Sequence, residues 1–141
     1  MQLLLSVLFV SSIFISHFSY ALTQEFTCAG ETEDHHFFAT VELHDKRLDI
    51  DLLQSTQYTQ TPFPLLPLRH ILKDLEPTIK LDKRVYEFAP SNYQSCSYKW
   101  IWPQDLSETM RSNSEGEMEV ETILKLDCDG VKSKAEITCQ I

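Results

Sequence analysis

MEVETILKLDCDGVKSKAEITCQ, residues 118–140, is the stretch on which the fold turns. From Met118 the apolar side chains take alternate positions, Met118, Val120, Leu124 and Leu126 with Thr122 among them, the two-residue period of a half-buried strand. Asp129-Gly130 follows, and a glycine there tolerates the positive φ that a tight hairpin turn needs. Folding the chain back about this turn sets Cys128 against Val131, Leu124 against Ala135 and Val120 against Cys139, so one face stays apolar throughout. The other face pairs Asp127 with Lys132 and Ile123 with Glu136, and carries Glu119 and Glu121.

This register constrains the cysteines, which are Cys28, Cys96, Cys128 and Cys139. Cys128 lies beside the turn, whereas Cys139 lies opposite Val120, roughly 26 Å away at about 3.3 Å per residue. A disulfide needs Cα atoms within roughly 7 Å. Cys128–Cys139 is therefore excluded, and two of the three connectivities remain.

Working towards the N-terminus, a second hairpin follows the same logic. Phe37, Ala39, Val41 and Leu43 alternate with polar neighbours, Asp45-Lys46 turns the chain, and Leu48, Ile50 and Leu52 return. Pairing Leu43 with Leu48, Val41 with Ile50 and Ala39 with Leu52 buries one face. It puts Glu42 opposite Asp49 and Thr40 opposite Asp51 on the other. A third hairpin turns at Asp82-Lys83 and pairs Ile79 with Tyr86. Cys96, Tyr98, Trp100 and Trp102 share one face of a further strand over 95–102, and Glu25–Ala29 supplies a first one. Leu68, Ile71, Leu72 and Leu75 recur at helical spacing between Pro67 and Pro77, which predicts one short helix. Gln54–Pro67 reads as a polar, proline-rich loop and Pro103–Glu117 as a long, mobile connection. The expectation is a mainly β domain: an antiparallel β-sandwich or small β-barrel of about seven to eight strands, with one short helix, stapled by disulfides.

Residues 1–21 hold apolar runs at 3–10 and 13–15, carry no acidic residue, lysine or arginine, and end Ser19-Tyr20-Ala21, small residues where a signal peptidase reads. They read as a signal peptide, with 22–141 as a single secreted β domain, periplasmic if bacterial and extracellular if eukaryotic. Export puts the four thiols where they oxidise. No second apolar run is long enough to span a bilayer, so no membrane partner is expected. With 21 acidic and 12 basic residues and a net charge of −9, nucleic acid is not expected either.

Motifs that carry chemistry are few. There is no Gly-x-Ser-x-Gly elbow, no His-Glu-x-x-His and no Cys-x-x-Cys, and three glycines form no phosphate loop. His35-His36 with Asp34 could serve as acid or base, but no partner is tied to them by spacing. His44 shares a strand face with Glu42 beside Asp49 and Asp51, a donor set that suits zinc or copper. A solvated strand face accounts for it as well, and no metal, cofactor or catalytic residue is assigned. The repulsion of Glu42 and Asp49 points instead to a basic protein partner, unless Lys46, Arg47 or His44 reaches over to screen the pair. On the first of these accounts, neutralising both acids raises stability slightly. In the aromatic stripe Tyr98, Trp100 and Trp102, core packing is the expectation, with Trp102 at the strand end the member within reach of a ligand.

Phe26-Thr27-Cys28-Ala29-Gly30 and Thr138-Cys139-Gln140-Ile141 are similar to the ends of the periplasmic inhibitors of c-type lysozyme. The similarity covers about ten residues; the middle of this chain is longer and has no match to that family's inhibitory segment. In that family a terminal cysteine pair closes a small β-barrel. Here a first strand beside the last would likewise bring Cys28 to Cys139, leaving Cys96 for Cys128. The sequence thus points to a secreted or periplasmic non-enzymatic binding domain, of inhibitor or immunity type, for a basic protein. Its candidate contacts are Glu42, His44, Asp49, Asp51 and Trp102. A small-ligand carrier with a barrel interior is the alternative, and a small hydrolase a third.

Overall fold

Alternating side chains joined by tight turns build strands, and the computed structural model, which describes residues 23–56, 68–89 and 96–141, contains ten among them. In chain order they are β1 (Thr23–Glu31), β2 (His35–His44), β3 (Arg47–Thr56), β4 (Leu68–Leu75) and β5 (Thr78–Lys80). There follow β6 (Lys83–Phe88), β7 (Cys96–Pro103), a helical turn α1 (Leu106–Thr109), β8 (Arg111–Ser112), β9 (Met118–Cys128) and β10 (Val131–Gln140). The expected signal peptide and most of the expected 54–67 loop lie outside the described residues. All pairings are antiparallel and form one sheet, ordered β4-β3-β2-β1-β10-β9-β7-β6-β5, with β8 added against β9. The sheet curls into a half-barrel. The mainly β, disulfide-stapled class expected from the sequence is the one found.

The two clearest hairpins have the expected registers. Cys128 faces Val131, Leu124 faces Ala135 and Val120 faces Cys139; Leu43 faces Leu48, Val41 faces Ile50 and Ala39 faces Leu52. At the C-terminal turn Asp129 and Gly130 both have positive φ, 53° and 83°. β1 lies between β2 and β10, which brings Cys28 directly opposite Cys139, while β7 beside β9 brings Cys96 opposite Cys128. Both disulfides are formed. Cystines of this kind are at home in an oxidising compartment outside the cytoplasm. Gly30 permits the β1–β10 seam to close, because a Cβ there would strike the Glu136 carbonyl oxygen.

Three local expectations are corrected. Residues 68–75 are a strand, not a helix. Their apolar positions fit a helical period, but nine residues between Pro67 and Pro77 give a helix little to stand on, whereas the free edge of β3 offers a ladder of partners. Leu48 pairs with Leu75 and Ile50 with Leu72, so β4 carries one extra residue at Lys73–Asp74. The bulge lets Leu75 share the inner face with Leu72, while Ile71, which a helix would have buried, pairs with Asp51 on the outer face and is 57% exposed. In the third hairpin Ile79 pairs with Arg84, not Tyr86, about a turn at Leu81-Asp82. A slip of two preserves which face each side chain takes, so alternation could not detect it. Residues 103–117 are not a bare connection. Asp105 caps α1 by accepting from the Glu108 amide, β8 pairs with β9, and Asn113 Oδ1 accepts from the amides of Glu115 and Glu117.

The concave side is packed solid. Phe26, Leu48, Ile50, Leu52, Tyr86, Trp100, Trp102, Leu124 and Ile137 are each fully buried there. Polar links bridge the two wings of the sheet: Tyr86 Oη donates to the Lys46 carbonyl at 2.6 Å and Tyr98 Oη to Gln54 Oε1 at 2.6 Å. His70, 7% exposed and against the Tyr98 ring, has no hydrogen-bond partner for Nε2 among the described residues. Burial pushes its pKa below 6.5, so the unfolded chain takes up this proton first as the pH falls. The contribution of His70 to stability is therefore complete above pH 6.5 and is lost as the pH drops towards its folded value. His70→Phe is expected to flatten this part of the stability profile between about pH 7.5 and 5 in urea titrations. An unchanged difference between the two pH values would remove His70 from the account.

Candidate functional site

The registers of β1, β2 and β3 line up more acid than the sequence suggested. Glu25 lies opposite Glu42, and Glu42 opposite Asp49, so three carboxylates stand in one cross-strand row on the outer face. Like charges so placed destabilise a sheet, and the chain sets an imidazole, a backbone amide and a lysine against them. His44 Nε2 lies 3.2 Å from Glu42 Oε2 and 3.3 Å from Asp49 Oδ2, while its Nδ1 sits 3.0 Å from Thr23 Oγ1. Asp49 Oδ1 accepts from the Asp74 amide at 2.9 Å, an N–H turned towards it where the β4 bulge puts Asp74 at φ 53°. Lys73 Nζ is 3.8 Å from Asp49 Oδ2. The Asp74 amide above all, and then Lys73 and His44, hold the Asp49 carboxyl below the ordinary 3.8 against the opposing pull of burial.

Asp51, one step further along β3, is held in two-point contact by Arg69, with Nε at 2.9 Å and Nη2 at 2.6 Å. That contact keeps its pKa low as well. The charged state of both aspartates thus contributes to stability above pH 3.8, and the contribution fades as the pH falls through their folded values.

Of the residues expected at the site, Glu42, His44 and Asp49 therefore converge, and Asp51 lies beside them with its own cation. Trp102 does not join them. It is 1% exposed, with its ring 5.4 Å from that of Phe26, edge to face. β7 lies inside the sheet between β6 and β9, and Leu106 and Met110 pack against the core just beyond its end, so this strand end is covered. Glu25 is the member that sequence reasoning missed. It becomes visible once β1 is paired with β2, since Cys28 opposite Ala39 carries Glu25 to Glu42.

The ligand atoms of Glu42, His44 and Asp49 lie within 4.8 Å of one another, a set able to hold a zinc or copper ion. As they stand, imidazole and carboxylates are bonded to each other. The other histidines of β2 do not add to this group. His36 Nδ1 lies 3.1 Å from Glu31 Oε2 at the far end of the strand, and the His35 ring neighbours Phe37. Towards β9 the acidic character continues with Glu119, which lies across from Gln140, and with Glu121, which accepts from Thr138 Oγ1 at 2.9 Å.

Comparison with protein-family models, with curated proteins and with solved structures finds no match to this chain.

Proposed function

We propose that this chain is an exported, non-enzymatic binding domain of inhibitor or immunity type, and that it engages a basic protein through the acidic end of its outer face. The observation that carries this reading is the row Glu25, Glu42 and Asp49, three carboxylates directly opposed on adjacent strands. Such a row costs its own sheet. His44 and Lys73 meet the Glu42 and Asp49 part of this row from within; Glu25 has no ion pair among the described residues, and a partner's cationic side chain placed there relieves what repulsion remains. The net charge of −9 steers such a partner inwards over long range. The filled concave side favours recognition by the outer surface over carriage of a ligand inside. Two cystines and the apolar segment 1–21 support export.

The test uses the disulfide-intact domain from residue 22 and its Glu25→Gln/Glu42→Gln/Asp49→Asn variant, titrated with basic secreted proteins, a c-type lysozyme among them. Association with a true partner is expected to slow about tenfold in low salt and to lose most of its salt dependence. A partner that binds the variant as fast as the wild type at low and high salt would refute the acidic row as the contact. Asp49→Asn alone is expected to lower stability by about 1 kcal/mol, because the Asp74 amide loses a charged acceptor. The sign is opposite to the slight gain that cross-strand repulsion alone implies, since the row is already met by His44 and Lys73.

A further inference from the structure

We propose that the outer face of β7, β9 and β10 is a binding site for a compact oligoanion, a small ligand with two or three phosphate or carboxylate charges. Lys99 lies directly opposite Lys125, and Lys125 directly opposite Lys134, on three adjacent strands. At about 4.8 Å between strands the row spans roughly 10 Å. Lys132 stands beside it, one step nearer the hairpin turn, and all four side chains are exposed. A row of like charges again costs the sheet, but here the chain does not supply the remedy. Among the described residues the row has one ion pair, Lys99 Nζ to Glu87 Oε1 at 3.6 Å at its outer end. Asp127, which faces Lys132 in register, has its carboxylate turned to the Gly130 amide. A chain with 21 acidic residues sets His44 and Lys73 against Glu42 and Asp49, yet among the described residues leaves Lys125 and Lys134 without a carboxylate within 4.0 Å.

The four lysines border a single groove of about 540 Å³, the size of a small-molecule site. Among the described residues no aromatic ring lines it, so none of them stacks a nucleobase or the face of a sugar there. Lysine ammoniums are point charges on flexible stems that can converge on a compact anion, unlike the rigid fork of arginine. Glu87 at one end, Glu136 two residues beyond Lys134 and the acidic remainder of the surface repel a polyanion longer than the row. This site is separate from the acidic row and stands whether or not a basic partner is found.

Titration of the disulfide-intact domain with tripolyphosphate, and separately with citrate, in low-salt buffer tests the proposal by calorimetry and by NMR shifts. Saturable binding is expected, and the tighter of the two anions tells phosphate from carboxylate as the natural chemistry. Lys125→Gln/Lys134→Gln is expected to weaken binding tenfold or more, and Lys125→Arg/Lys134→Arg to retain it. Lys46→Gln/Lys80→Gln, which removes the same charge elsewhere, is expected to weaken it less than twofold. Failure of both anions to saturate, or equal weakening by the two glutamine pairs, would overturn the site. Tighter binding of a long sulfated polysaccharide than of tripolyphosphate would overturn the compact ligand.

Discussion

Replacing Cys28 and Cys139 together by alanine is expected to cost about 4–5 kcal/mol of unfolding free energy, and replacing Cys96 and Cys128 about 1 kcal/mol less. The reason lies in the unfolded chain. The first bond joins residues 111 apart and the second joins residues 32 apart, and the entropy removed by a crosslink grows with the logarithm of the loop it closes. The native contacts reinforce the ordering. Cys28–Cys139 spans the seam of β1 with β10, the strand pairing that, among the described residues, joins the β4-β3-β2-β1 wing to the β10-β9-β7-β6-β5 wing. That seam pairs residues only from Thr27 to Glu31, whereas β9 and β10 pair from Cys128 to Glu119. A loss of this size is a large part of the 5–15 kcal/mol that ordinarily holds a domain folded. Urea unfolding of the wild type and the two double variants at neutral pH measures it. Equal losses, or a larger loss for Cys96–Cys128, would mean that local packing outweighs loop closure here.

Where the sequence could be read and where it could not follows from the range of the interactions. The two hairpins at 35–56 and 118–140 were legible because turn and alternation agree locally: Asp129-Gly130 and Asp45-Lys46 fix the register, and only that register keeps Leu124 with Ala135 or Val41 with Ile50. β4 was misread because Leu68, Leu72 and Leu75 satisfy a helical period, and the one-residue bulge at Lys73–Asp74 breaks the two-residue one. What decided it was the open edge of β3, which is not local information. The acidic row was half legible. Glu42 opposite Asp49 came from one hairpin, while Glu25 needed the β1–β2 pairing and the screening by His44 and Lys73 needed side-chain placement. The lysine row divides the same way. Lys125 opposite Lys134 was implicit in the C-terminal register, but Lys99 joins them only through the β7–β9 pairing that Cys96–Cys128 secures. Burial of Trp102 also depended on order in the sheet, since a strand end is covered or bare according to its neighbours.

The two tryptophans of β7 allow the sharpest test of the core. Trp100 is 0% and Trp102 1% exposed, their rings lie 5.4 Å apart, and each should lose about 3–5 kcal/mol when cut back to alanine. They differ in one bond. Trp100 Nε1 donates to Thr122 Oγ1 at 2.7 Å, and Thr122 in turn donates to the Ile137 carbonyl at 2.9 Å, a chain that ties β7 through β9 to β10. Trp102 Nε1 is buried without a partner among the described residues. Phenylalanine keeps most of the apolar area at either position but removes the N–H. Trp100→Phe therefore gives up a buried hydrogen bond as well as volume, whereas Trp102→Phe sheds a donor whose desolvation was never repaid. Trp100→Phe is expected to be the costlier change by about 1–2 kcal/mol. Thr122→Val makes the complementary case: it strands Trp100 Nε1 in the core, at a cost of about 1–3 kcal/mol. Combined with Trp100→Phe, it should cost less than the sum of the two single changes by about 1 kcal/mol, because both remove the same bond. Denaturant unfolding of the four variants gives each term. A Trp102→Phe loss equal to or above that of Trp100→Phe, together with additive behaviour of Trp100 and Thr122, would show that shape alone, and not the bond to Thr122, holds β7 in place.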